Sequence, residues 1–252
     1  MNHPSAQGVG VLPMVPVRLV IFDLDETLLD QRGAVTDAVT RWLSGRGIEP
    51  DDELVGAWFA AQERHLPAWR AGEISWREQR RRRLRDFLPL VGLTVDDGGQ
   101  LDRTFAGYLT HYEAAWRKFD DVDGALERIR RTDVRTAVLT NGTVEQQNAK
   151  ITAVGLTDRV GPVFTAEELG AAKPDPSTYL TVCRRLGVPA DSALHVGDLH
   201  DLDVIAPRAA GLQAVHLDRR DNGPHHEKHR ITSLAELPDH LAALAVGPPS
   251  TD

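Results

Sequence analysis

Two aspartates one residue apart, Asp23 and Asp25, follow the apolar run Leu19, Val20, Ile21 and Phe22. Alternation along a strand turns residues two apart to one side, so both carboxylates can meet at its tip. Carboxylates held that close repel, and a divalent cation or a proton kept by one of them relieves the repulsion. Thr140 and Asp198 also stand just beyond short apolar runs, and Lys173 opens the turn Lys173-Pro174-Asp175-Pro176. The set of three carboxylates, a hydroxyl and an ammonium fits phosphoryl transfer. Asp23 and Asp198, with a backbone carbonyl, supply the oxygen ligands that magnesium prefers. Thr140 and the amides of Asn141 and Gly142, at the start of a helix, are set to donate to phosphate oxygens. Lys173 neutralises the nucleophile and the charge that remains in the transition state.

These residues need a scaffold that brings distant segments to one edge. The apolar runs Leu19 to Phe22, Val134 to Leu139, Gly161 to Phe164, Ala193 to Val196 and Gln213 to Leu217 have the length of buried strands and alternate with helical patterns. That rhythm implies an α/β fold, a Rossmann-like parallel sheet with helices on both faces, whose ligands bind beyond the carboxyl ends of the strands. Between Asp30 and Asp120 the texture is instead helical throughout. The clearest segment carries Leu101, Phe105, Tyr108, Tyr112, Trp116 and Phe119 in steps of three and four. The expected organisation is a core of residues 17–30 and 120–246, an all-helical cap of residues 31–119, a flexible lead-in over 1–16 and a frayed tail over 247–252.

Composition limits the partners. Of 252 residues, 41% are hydrophobic and 26% charged, ordinary for a globular protein. With 29 basic against 37 acidic residues the formal charge is -8, which argues against nucleic-acid polymers and anionic membranes and for a small substrate. Cys183 is the only cysteine, so no internal disulfide can form and a reducing, cytoplasmic setting is expected, with the thiol buried as a small hydrophobe. No signal-peptide pattern is found, and no apolar run approaches the roughly 20 residues that span a bilayer. Oligomeric state is not legible.

Within the helical segment, Arg77, Arg80, Arg81, Arg82, Arg83 and Arg85 point in all directions around one helix and read as a salt-bridged surface, with one or two free to face a substrate. Trp58, Trp69, Trp76 and Trp116 read as core of the cap. Asp30, Gln31, Trp69, Arg70 and Trp76 are candidates to line a pocket. His195 and His200 read as packing or surface residues, because a hard cation with carboxylate ligands does not call for imidazole.

In order along the chain, Asp23, Asp25 and Thr27, then Thr140, then Lys173, then Gly197, Asp198 and Asp203 resemble the four motifs of the haloacid dehalogenase superfamily. The helical insert after the first motif looks like the α-helical cap of its first subgroup. The resemblance implies that Asp23 attacks phosphorus to form an aspartyl-phosphate, and that Asp25 protonates the leaving alkoxide and later deprotonates water. It implies a magnesium ion held by Asp23, the backbone carbonyl of Asp25, Asp198 and a second acidic group. Family spacing favours Asp203 over Asp201 for that group. For Asp25 to carry a proton, a dry site beside anionic Asp23 is expected. Pro207, soon after the fourth motif, calls for a helix that begins late or is kinked.

A magnesium-dependent phosphatase of a small phosphorylated metabolite is therefore expected. A 2-haloacid dehalogenase, which uses the first aspartate without metal, lacks the acidic residue two positions on. A hexose-phosphate mutase shares the aspartyl-phosphate but admits a second phosphorylated sugar in place of water. A non-catalytic binding protein with the same fold would have lost one or more of the motifs, and none is lost here.

Overall fold

A computed structural model describes residues 15–246; the expected tail and most of the expected lead-in lie outside the described residues. Six parallel strands form one sheet in the order β3-β2-β1-β4-β5-β6. They are β1 (Leu19–Phe22), β2 (Arg135–Thr140), β3 (Val163–Thr165), β4 (Ala193–Gly197), β5 (Gln213–Leu217) and β6 (Arg230–Ile231). All four residues of β1 are buried, as a central strand covered on both faces requires. Phe22 pairs with Val138 on one side and Val196 on the other, so the chain leaves β1, β2 and β4 at one edge. That register delivers Asp23, Thr140 and Asp198 to the same place.

Four helices occupy the segment after β1: α1 (Gln31–Ser44), α2 (Asp52–Arg70), α3 (Trp76–Phe87) and α4 (Gly98–Ala114). They enclose a core of their own, in which Trp42, Trp58, Phe87 and Tyr108 are fully buried and mutually packed. The remaining helices are α5 (Val122–Arg130), α6 (Val144–Ala153), α7 (Ala166–Leu169), α8 (Pro176–Leu186), α9 (Ala206–Ala209) and α10 (Leu237–Val246). The two connections to the helical segment run side by side. Leu29 bridges Lys118, Phe119 N donates to Leu28 O at 3.1 Å, and Arg117 Nε donates to Asp30 Oδ2 at 2.7 Å.

Two local differences from the sequence-based expectation have physical causes. The pattern ending at Phe119 leaves the helix at Ala114; Phe119 packs against the core of the sheet, and Trp116 packs against both that core and Tyr112 of α4. The short β6 follows a polar loop whose Asp218 accepts from Asn222 N, Gly223 N and Arg230, an anchor with no apolar signal. Pro207 is accommodated as expected: a wide π-helical turn over His200–Ile205 precedes α9, with the proline in the helix's first turn. Cys183 is buried in α8, as expected.

Candidate active site

A cleft of about 440 Å³ lies between the carboxyl edge of the sheet and the helical segment. Asp23, Asp25, Asn141, Gly142, Lys173 and Asp198 all line it. At its floor, carboxylate oxygens of Asp23, Asp198 and Asp203 lie within 4.8 Å of one another. Lys173 Nζ donates to Asp23 Oδ1 at 2.6 Å and to Asp203 Oδ1 at 2.7 Å.

The electrostatics follow from crowding without water. Burial, with Asp203 and Asp25 nearby, raises the Asp23 carboxyl to about 7 although Lys173 opposes the shift. Burial beside Asp23 and Asp203 raises Asp198 to about 9. For Lys173, burial pulls the ammonium down, but Asp203 and Asp23 outweigh it and hold it above the ordinary lysine range. An all-oxygen set that includes two desolvated carboxyls fits a hard divalent cation such as magnesium.

Asp203 is held from three directions. Its Oδ1 accepts from Lys173 and lies 2.9 Å from His195 Nε2, and its Oδ2 accepts from Leu199 N at 3.0 Å. Asp203 is buried whereas Asp201 is exposed, so of the two it is Asp203 that joins the cluster. With both oxygens engaged by protein donors, it stands behind Lys173 as its anchor. His195 is thus more than packing. It is fully buried, its pKa is lowered by burial against the pull of Asp203, and the neutral ring can donate to that carboxylate. His200 lies half-buried, 3.4 Å from Glu227.

Thr140 ends β2 and accepts from Gln147 Nε2 at 2.5 Å, which leaves its own hydrogen free for a ligand. Gly142 has no room for a side chain: a Cβ there would lie 2.8 Å from Gln147 Cδ. The Asn141 side chain does not face a ligand. It exchanges two bonds with Lys173, accepting from Lys173 N at 2.8 Å and donating to Lys173 O at 2.9 Å, and so ties the lysine's loop to the end of β2.

Asp25 differs most from expectation. Its side chain remains 21% exposed, and Lys150 Nζ lies 2.7 Å from each of its oxygens. Lys150 is buried, and although burial pulls its pKa down, Asp25 and the Tyr112 hydroxyl hold it above the usual lysine value. Sequence reasoning missed Lys150 because a lysine inside a helix normally reads as a solvated residue.

Of the residues expected to line the cleft, Gln31, Trp69, Arg70 and Trp76 do so. Asp30 does not: it caps α1 by accepting from Gly33 N at 2.8 Å and pairs with Arg117. Trp58 is core as expected, whereas Trp69 and Trp76 pack together, centroids 4.6 Å apart, on the cleft wall. The arginines of α3 divide. Arg77 and Arg81 pair with Asp102, and Arg82 and Arg85 with Glu78. Arg80 and Arg83 turn to the cleft. Burial lowers Arg83 to about 10, opposed by Tyr108, Tyr112 and Glu63.

A family model described as haloacid dehalogenase-like hydrolase matches residues 17–211. The chain belongs to this family, and is an enzyme of the hydrolase class. Relatives within it are similar over nearly the whole chain. The (S)-2-haloacid dehalogenase 1 of Pseudomonas sp. is 28% identical, covering 92% of this chain and 99% of its own. The phosphoserine phosphatase of Thermus thermophilus is also 28% identical, covering 81% and 89% respectively. Among solved structures, the magnesium-bound HAD-hydrolase YfnB of Bacillus subtilis superposes with a TM-score of 0.78 at 21% identity, covering 91% of this chain and 100% of its own. A solved 2-haloacid dehalogenase of Pseudomonas syringae is 30% identical with a TM-score of 0.63, covering 90% of this chain and 98% of its own, so both activities stand among the similar proteins and the choice between them rests on the site.

Proposed function

We propose that the chain is a magnesium-dependent phosphatase that hydrolyses a small phosphorylated metabolite through an aspartyl-phosphate on Asp23. The observation that carries this reading is Asp25: a carboxylate two residues beyond the nucleophile, lining the cleft and gripped by Lys150. Displacement of halide from carbon needs no proton delivered to the leaving group. Expulsion of an alkoxide from phosphorus does.

In the first step Asp23 forms a bond to phosphorus while the bond from phosphorus to the ester oxygen breaks. The departing oxygen takes a proton from Asp25. In the second step water attacks phosphorus, gives a proton to Asp25, and phosphate leaves as the Asp23 carboxylate is restored. Thr140 and the amides of Asn141 and Gly142 hold the phosphoryl oxygens at the start of α6. Lys173, kept charged by Asp203, offsets the anionic charge of Asp23 and phosphate. Asp23, Asp198 and the backbone carbonyl of Asp25 would hold magnesium, with Asp203 behind them; when bound it neutralises charge on the phosphoryl oxygens. The cap over residues 31–119 forms the opposite wall of the cleft. The lone buried Cys183, and the lack among the described residues of any helix long and apolar enough to cross a membrane, accord with a cytoplasmic enzyme.

Phosphate release from a panel of phosphorylated metabolites, with and without magnesium, tests the reading. Metal-dependent turnover of at least one of them is expected. Metal-independent halide release from 2-chloropropionate would overturn it.

A further inference from the structure

Arg83 is a buried cation without a counter-ion. It is only 5% exposed, and its Nε and one terminal nitrogen have no hydrogen-bond partner. No carboxylate of the described residues lies within salt-bridge distance of it, although its neighbours Arg77, Arg81, Arg82 and Arg85 all have one. A buried charge left unpaired destabilises the fold that holds it. The guanidinium lies over the Trp58 ring, 4.0 Å from its centroid, and 5.6 Å from that of Tyr108. Stacking satisfies the faces of the group; Nε and that terminal nitrogen are enclosed, and what remains of the guanidinium edge lines the cleft, where an oxyanion can meet it.

The surroundings match. Arg80, one turn away on α3, lies over Trp76 and Phe105 and has no carboxylate partner among the described residues either. From the cap, the cleft receives Arg32, Arg70, Arg80 and Arg83 against one acid, Glu63, on a chain whose formal charge is -8. A wall of rings joins the two ends of the cleft. Lys150 is 5.8 Å from the Tyr112 centroid, Tyr112 stacks on Tyr108 at 5.9 Å, and Tyr108 abuts Arg83.

We propose that Arg83, with Arg80 beside it, forms a subsite for a second oxyanion at the end of the substrate remote from the scissile phosphate. The substrate class is then a metabolite with a phosphate ester at one end and a carboxylate or second phosphate at the other. This deepens the phosphatase reading and rests on it.

The test uses non-hydrolysable ligands and calorimetry on the full chain loaded with magnesium. Alkyl phosphonates with an uncharged, carboxylate or second phosphonate terminus are compared over a series of chain lengths. At the best length the charged terminus should tighten binding by roughly 10- to 100-fold, the worth of a charge-assisted pair. Whichever charged terminus gains more identifies the second group. In Arg83→Gln the ratio of charged to uncharged affinity should fall to near one; if that variant does not fold, Arg80→Gln should reduce the ratio severalfold. No gain from a charged terminus at any length, or a gain that survives the substitution, would overturn the subsite. Failure of the phosphatase reading is distinguishable: it is an absence of turnover on every ester while the binding difference persists.

Discussion

Lys150 Nζ sits 2.7 Å from both carboxylate oxygens of Asp25, with its own side chain 3% exposed. The pair joins α6 to the loop after β1 and sets the direction of the proposed proton carrier. Gln147, one turn earlier on α6, reaches Asp25 Oδ2 at 3.4 Å and Thr140 at 2.5 Å. One helix face therefore orients both the proton carrier and the phosphate-binding hydroxyl.

Replacing that ammonium should damage the chemical step more than binding. Lys150→Met is expected to lower kcat by about 10- to 100-fold while KM changes little, since positioned proton transfer supplies on the order of 100-fold or more. Lys150→Arg should recover part of the loss. Steady-state kinetics on the best substrate, with circular dichroism to check the fold, decides it; a loss confined to KM would remove Lys150 from the proton-transfer step.

Asp23→Asn should lower phosphate release to below about a thousandth of the wild-type rate, the scale seen when a nucleophile is lost. The fold should survive, because Lys173 keeps Asp203 and the amide relieves repulsion from Asp198. Phosphate assay beside a thermal melt checks both halves, and full turnover would sink the nucleophile assignment.

The raised carboxyls also predict how metal and pH interact. Asp23 goes from an ordinary 3.8 to about 7 in the fold, and Asp198 from 3.8 to about 9. A folded state that holds these protons more tightly than the unfolded chain gains stability from them below about pH 4, and loses it as pH rises towards 9. Bound magnesium needs the deprotonated carboxylates and reverses that loss. The melting temperature without metal should fall between pH 5 and pH 8.5, and the rise on adding excess magnesium chloride should be larger at the higher pH. A rise independent of pH would mean that the metal does not engage these two groups.

What the sequence disclosed and what it hid have a common cause. Asp23, Thr140, Lys173 and Asp198 were legible because three of them follow apolar runs that can only be buried strands, and the parallel order then brings those ends together. Lys150 was not, since its burial depends on Tyr112 arriving from α4, a contact that no local pattern encodes. His195 and Asp203 left a weak trace. Positions 195 and 197 share a face of β4 by alternation, and the glycine at 197 marks a place where something else must fit. Arg83 left none: it shares a buried row of α3 with Gln79 and Phe87, but two of the three are polar, so only the folded structure separates Arg83 from the solvated arginines around it.

Gly197 gives the sharpest test of how tightly the floor of the cleft is built. A Cβ at this position would lie 2.4 Å from Asp203 Cγ and 2.7 Å from Asp203 Cβ. The obstructing atoms are near the backbone rather than at the end of a long side chain, and Asp203 is tied to Lys173, His195 and Leu199, so it cannot swing away cheaply. Gly197→Ala should therefore cost about 1–3 kcal/mol of stability through overpacking. It should also lower kcat, because a displaced Asp203 no longer anchors the Lys173 ammonium between the two carboxylates. Asp203→Asn, which keeps the shape but weakens the hold on Lys173, should lower kcat without the overpacking penalty. A denaturant titration alongside phosphate-release kinetics on both variants separates the two effects. If Gly197→Ala melts with the wild type and turns over at the wild-type rate, Asp203 is not held as rigidly as its contacts with Lys173, His195 and Leu199 require.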